Sequence, residues 1–96
     1  MIHILVKLTV KNFTALEEFE RQAVATMNRH GGHLLSAFET CRNEDDSGEE
    51  VHVLAFPSDE AFAGYRVDGD LVDLKDLRDR AISHTEVMVS ERLKSY

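Results

Sequence analysis

The chain has 96 residues, a mass of 10.9 kDa and a net charge of −7, from 11 Lys and Arg against 18 Asp and Glu. Apolar residues make up 43% and charged residues 30%, the composition of one folded domain over 1–96 rather than of a disordered chain. The acidic balance argues against nucleic-acid backbones and anionic membrane surfaces as partners, because both are bound through clustered Lys and Arg.

Residues 2–10 alternate strictly, Ile2, Ile4, Val6, Leu8 and Val10 on one side and His3, Leu5, Lys7 and Thr9 on the other. That is a strand with one apolar face and one mixed face. Thr14 with Glu17 three residues on reads as a capping box, and Leu16, Phe19, Ala23, Val24 and Met27 then recur at helical spacing. Glu17, Glu18 and Glu20 are expected in the first turn, and Gly31-Gly32 as the stop. Residues 33–42 read as a second strand, 43–50 as a polar hairpin loop and 51–56 as a third strand ended by Pro57. Ser58 caps a second helix, with Ala61, Phe62 and Tyr65 on one side. Asp70 is placed to cap a further segment carrying the stripe Leu71, Leu74, Leu77 and Ala81, with Lys75/Asp79 and Asp76/Arg80 as outward ion pairs. Residues 84–91 complete a fourth strand.

The order β-α-β-β-α-β predicts an α+β, ferredoxin-like fold: a four-stranded antiparallel sheet with both helices on one face and the first strand between the third and fourth. The bare face would carry Leu5 and Met88 among polar residues. With the small size, this predicts a homodimer in which two sheets close face to face into a barrel.

The single cysteine, Cys41, rules out an intrachain disulfide and fits a reducing compartment. The chain enters strand-like alternation without a basic leader, so the expectation is a cytoplasmic protein with no membrane association. No Gly-rich phosphate loop follows a strand and no G-x-S-x-G occurs, so no cofactor and no serine nucleophile are expected. The five histidines show no metal-type spacing, and the acidic run from Glu44 to Glu50 lacks the alternation of a calcium loop. Of these histidines, His3 and His84, with Lys7 and Glu86, are candidates for a polar cluster inside the barrel. A histidine beside a carboxylate is an acid/base pair near neutral pH, so His3, His84 and Glu86 are the catalytic candidates. The plainer reading is a set of cross-strand pairs that fix register.

The block Phe56-Pro57-Ser58, then Glu60-Ala61, Tyr65, Asp68, Leu71, Arg78 and Ala81, and the strand Val87-Met88-Val89 resemble a bacterial family of uncharacterised small proteins in the dimeric α+β barrel superfamily. That superfamily also holds antibiotic-biosynthesis monooxygenases and muconolactone isomerase-like proteins. The resemblance implies a homodimer with a cleft between sheet and helices that holds a small ligand. Asp68 is followed here by Gly69 where relatives tend to carry proline, and the loop 43–50 is longer and more acidic than expected. At such a cleft Tyr65 and Arg78 would donate to an anionic or carbonyl group and Asp68 would orient one of them. The ligand-binding candidates are therefore Tyr65, Asp68, Arg78 and Lys7. The function read from the sequence is a homodimer binding a small oxygenated or carboxylated organic molecule, with cofactor-free acid/base chemistry. The alternatives are a non-catalytic protein-interaction module and a cofactor-free monooxygenase.

Overall fold

A computed structural model describes all 96 residues. The strands are β1 (Ile2–Val10), β2 (His33–Arg42), β3 (Gly48–Phe56) and β4 (Ile82–Ser90). They form one antiparallel sheet in the order β2-β3-β1-β4, with β1 between β3 and β4 as the order of elements predicted. The helices are α1 (Phe13–Arg29), α2 (Asp59–Arg66), α3 (Gly69–Val72) and α4 (Lys75–Ala81). The second helical region is thus three short pieces rather than two. No helix is long and apolar enough to cross a membrane.

Several boundaries differ from the sequence reading. Helix α1 starts at Phe13, capped by Asn12, whose Oδ1 accepts the Ala15 N–H at 2.7 Å. Asn caps as well as Thr, and this start turns Phe13 into the core, where 2% of its surface is exposed. Thr14 instead donates its N–H and its hydroxyl to the Asp46 carboxylate, at 3.0 and 2.9 Å. With the start at Phe13, no acidic residue lies in the first turn, and Glu20 falls two turns in. At the other end Gly31 takes φ +76°, the left-handed conformation that stops the helix.

Strand β3 begins at Gly48, so the hairpin turn is 43–47 rather than 43–50. The turn closes on itself through the Asn43 N–H to Ser47 carbonyl bond and a left-handed Asp46. The acidic turn is therefore tied to the start of α1 and is more than a solvated tip. Ser58 caps α2 as expected, its Oγ accepting the Ala61 N–H at 3.1 Å. Asp68, not Asp70, caps the next segment by accepting the Asp70 N–H. Lys75 and Asp79 pair at 2.6 Å, and no Asp76–Arg80 pair forms. Strand β4 runs Ile82–Ser90 rather than 84–91 because Ile82 belongs to the buried core.

The core lies between the sheet and the helices, in two groups. One gathers Leu8, Val10, Phe13, Leu16, Phe19, Ala23, Ala81 and Ile82. The other gathers Ile2, Ile4, Met27, Leu54, Phe56, Phe62 and Tyr65. Val6 and Leu71 touch both groups. The far face of the sheet has no helix. Its residues follow from the register: Leu5 lies between Val53 and Met88, Lys7 between Val51 and Glu86, and Phe38 beside Val51.

Candidate functional site

A cavity of about 150 Å³ opens where the two core groups meet. Val6, Leu8, Phe19, Leu54, Phe62 and Val87 give it apolar walls, and Glu20, His52, Tyr65, Arg66, Arg78 and Thr85 supply its polar groups. These six come from five elements, Tyr65 and Arg66 sharing α2. Glu20 is the residue of α1 that lies one turn from both Leu16 and Ala23, so a carboxylate occupies the buried side of an otherwise apolar stripe. His52 alternates with Leu54 and Phe56 on the helix-facing side of β3 and is only 4% exposed. Tyr65 comes from α2, Arg78 from α4 and Thr85 from β4.

A buried imidazole needs partners, and His52 has two carboxylates. Its Nε2 bonds Glu50 Oε2 at 2.5 Å, and its Nδ1 lies 3.9 Å from Glu20 Oε1. The Glu20 carboxylate makes no hydrogen bond within the chain. Burial pushes its carboxyl above the usual range, His52 and Arg78 oppose that rise, and the neighbouring Glu50 charge adds to it. Burial likewise raises the Tyr65 phenol, and the charge of Glu20 raises it further. The Tyr65 ring packs on Phe56 at 5.5 Å, while its hydroxyl has no hydrogen-bond partner in the chain. Arg78 donates one N–H to Thr85 Oγ1 at 2.7 Å and has no carboxylate within ion-pairing distance.

The structure divides the residues singled out in the sequence. Tyr65 and Arg78 share the cavity. Asp68 does not line it, because its carboxylate is taken by Arg29 at 3.3 Å, by His30 Nε2 at 2.7 Å and by the α3 cap. The His30 hydrogen bond leads the effects that hold its carboxyl below the ordinary value.

Lys7, Glu86 and His84 meet on the far face of the sheet. Lys7 Nζ is 3.5 Å from Glu86 Oε2, and His84 Nε2 is 3.8 Å from Glu86 Oε1. All three side chains are more than half exposed in the single chain. His3 does not join them. It pairs with Ser90, four residues up β1 from Lys7, about 13 Å at the rise of an extended strand. His33 pairs with Ala55 at the far edge of the sheet.

Reasoning from the sequence missed Glu20, and it did not place His52 and Glu50 on the inner face. The signal was present in both patterns. A polar residue one turn from two core positions of a helix, and a histidine in phase with Leu54 and Phe56, both face inward.

The same architecture recurs among solved structures. A protein of unknown function from Rhodopseudomonas palustris, RPA0582, superposes with a TM-score of 0.79 at 18% identity, over 98% of this chain and 83% of that one. SnoaB, a cofactor-independent oxygenase from Streptomyces nogalater, gives 0.68 at 14% identity over 98% and 94%. A NIPSNAP domain protein from Burkholderia xenovorans gives 0.71 at 11% identity over 97% and 95%. At these identities the likeness is one of fold, the α+β ferredoxin-like sheet with helices on one face. None of the curated proteins matches the sequence. Residues 2–92, nearly the whole chain, match the domain of unknown function DUF1330, and the chain belongs to that family.

Proposed function

We propose that this protein binds a small oxygenated or carboxylated organic molecule in the cleft between sheet and helices, as a homodimer. The observation that carries the reading is the cavity itself. It has apolar walls with a few convergent polar groups, the usual make-up of a small-molecule site. A space of about 150 Å³ accepts a molecule of roughly benzene size. Acid/base chemistry without a cofactor fits the same site, because a histidine flanked by carboxylates can hold or pass a proton near neutral pH. The bare sheet face supports the dimer. Leu5, Val51, Val53, Phe38 and Met88 form an apolar strip, and Lys7 and Glu86 beside it give both charge signs, as a self-complementary two-fold contact needs. In that dimer His84, Glu86 and Lys7 would lie inside the barrel, where the first catalytic candidates were expected.

Native mass spectrometry of the purified protein tests both parts at once. The expected result is a species of twice 10.9 kDa, carrying extra mass from a retained ligand or gaining it with single-ring acids and alcohols. A monomer, or a dimer that takes up none of them, counts against the reading. The fold shared with SnoaB favours a second reading, oxygenation of an electron-rich ligand without a cofactor. Oxygen uptake with single-ring phenols would show it.

A further inference from the structure

Three hydrogen-bonding groups face the cavity without a matching partner in the chain. Arg78 is half-buried, uses one N–H on Thr85 and meets no carboxylate. The Tyr65 hydroxyl and the Glu20 carboxyl have no hydrogen-bond partner. No fully buried side-chain polar atom lacks a partner, so these free atoms are open to whatever enters the cavity, and a guanidinium suits a carboxylate best because its planar fork matches the two oxygens. Of the other polar lining residues, His52 is held by Glu50, Thr85 accepts from Arg78, and Arg66 is exposed with its guanidinium over the Phe62 ring at 5.4 Å; the rest of the wall is aromatic and aliphatic. The unmet chemistry is therefore that of one carboxylate attached to a compact apolar body.

We propose that the ligand is a small organic monoacid whose carboxylate is held by Arg78 and Tyr65, and that Glu20 takes up a proton as it enters. The proposal rests on the cleft being the ligand site. An incoming anion meets Glu20 on α1 and Glu50 on β3, with His52 on β3, Tyr65 and Arg66 on α2 and Arg78 on α4 around them. Glu50 is already committed to His52. Glu20 makes no side-chain hydrogen bond and meets His52 only at 3.9 Å, and burial already favours its neutral form. Once protonated, it turns from a repelling charge into an O–H donor to the bound carboxylate, a charge-assisted bond stronger than a neutral one. The proton comes from solvent and no covalent bond of the ligand changes.

The experiment is an NMR titration of the full chain with sodium benzoate and with benzyl alcohol, its neutral counterpart, at pH 6, 7 and 8. Benzoate is expected to bind at least tenfold tighter than benzyl alcohol at pH 6. Its affinity is expected to weaken by up to tenfold per pH unit above that, as uptake of one proton requires. Arg78→Gln should remove the preference for benzoate while benzyl alcohol still binds, which also shows that the variant is folded. Glu20→Gln should flatten the pH dependence for benzoate. The proposal fails if the alcohol binds as well as the acid, if Arg78→Gln leaves the preference intact, or if the wild type shows no pH dependence. It fails equally if the dependence persists in Glu20→Gln. If neither probe binds, the cleft is not a ligand site and the reading beneath the proposal falls with it.

Discussion

Phe56 has no exposed surface, and its ring lies 5.2 Å from Phe62 and 5.5 Å from Tyr65. Gly32 makes room for it, since a Cβ there would sit 2.4 Å from the Phe56 ring. This close approach anchors the turn into β2 against the aromatic end of the core and so holds Tyr65 at the cavity wall. Glu20 presents the opposite case, a charge where burial is unfavourable. Its folded carboxyl binds a proton more tightly than the unfolded chain does. Its contribution to stability is thus full below the ordinary value of 4.5 and is lost as pH rises through the raised folded value. Glu20→Gln has no charge to bury and escapes that loss. Urea midpoints measured at pH 4.5 and pH 8 should show the variant gaining on the wild type as pH rises. A trend in the other direction would mean that the contact with His52 outweighs the burial of the charge.

Element starts and stops are set here by side chains that reach the backbone. Asn12 caps α1, Ser58 caps α2 and Asp68 caps α3. The hairpin turn adds a second fixture for α1 through Asp46, which also receives Arg42 at 3.2 Å. Phe13 lies under the Arg42 guanidinium at 4.1 Å, so turn, helix start and core are joined at one corner. Replacing Asn12 by Ala should cost about 1 kcal/mol, as losses of helix N-caps do. In a domain of this size that lowers the melting temperature by roughly 4–8 °C. Calorimetry checks it, and an unchanged melting temperature would show that Asp46 alone suffices to start the helix.

At the scale of the molecule, the sheet is covered on one side only. Phe38 and Met88 are 50% and 52% exposed on the bare side, and Leu5, Val51 and Val53 are half-buried between them. A small domain gains most from covering such a strip, because it buries a smaller share of its surface than a large one. Facing sheets from two copies would do this. A charge placed in the strip is then the most direct perturbation: Phe38→Asp should turn the proposed dimer into a monomer in sedimentation velocity at micromolar concentration. It should leave the single chain folded, because Phe38 contributes nothing to either core group. A wild-type protein that already sediments as a monomer would dispose of the two-copy barrel.

Local pattern was enough for the architecture. Alternation in 2–10 fixed the inner face of β1, the bounds of β2 followed from the Gly31-Gly32 stop, and Ser58 marked α2. These features depend on neighbours one to four residues away, which a sequence displays directly. The start of α1 was misread because two good caps stand two residues apart, and the choice between them depends on Phe13 reaching the core and on Asp46 arriving from the hairpin. The site was legible only in part. Tyr65 and Arg78 were singled out, but Asp68 was assigned beside them although Arg29 and His30 claim its carboxylate. Lys7, Glu86 and His84 meet through strand register, and His3 is separated from them by the same register. The approach of Glu20 to His52 joins residues 32 positions apart on a helix and a strand. Only the packing of α1 across β3 brings them together, because which charge comes to lie beside which is set by the distance between elements and not by spacing along the chain.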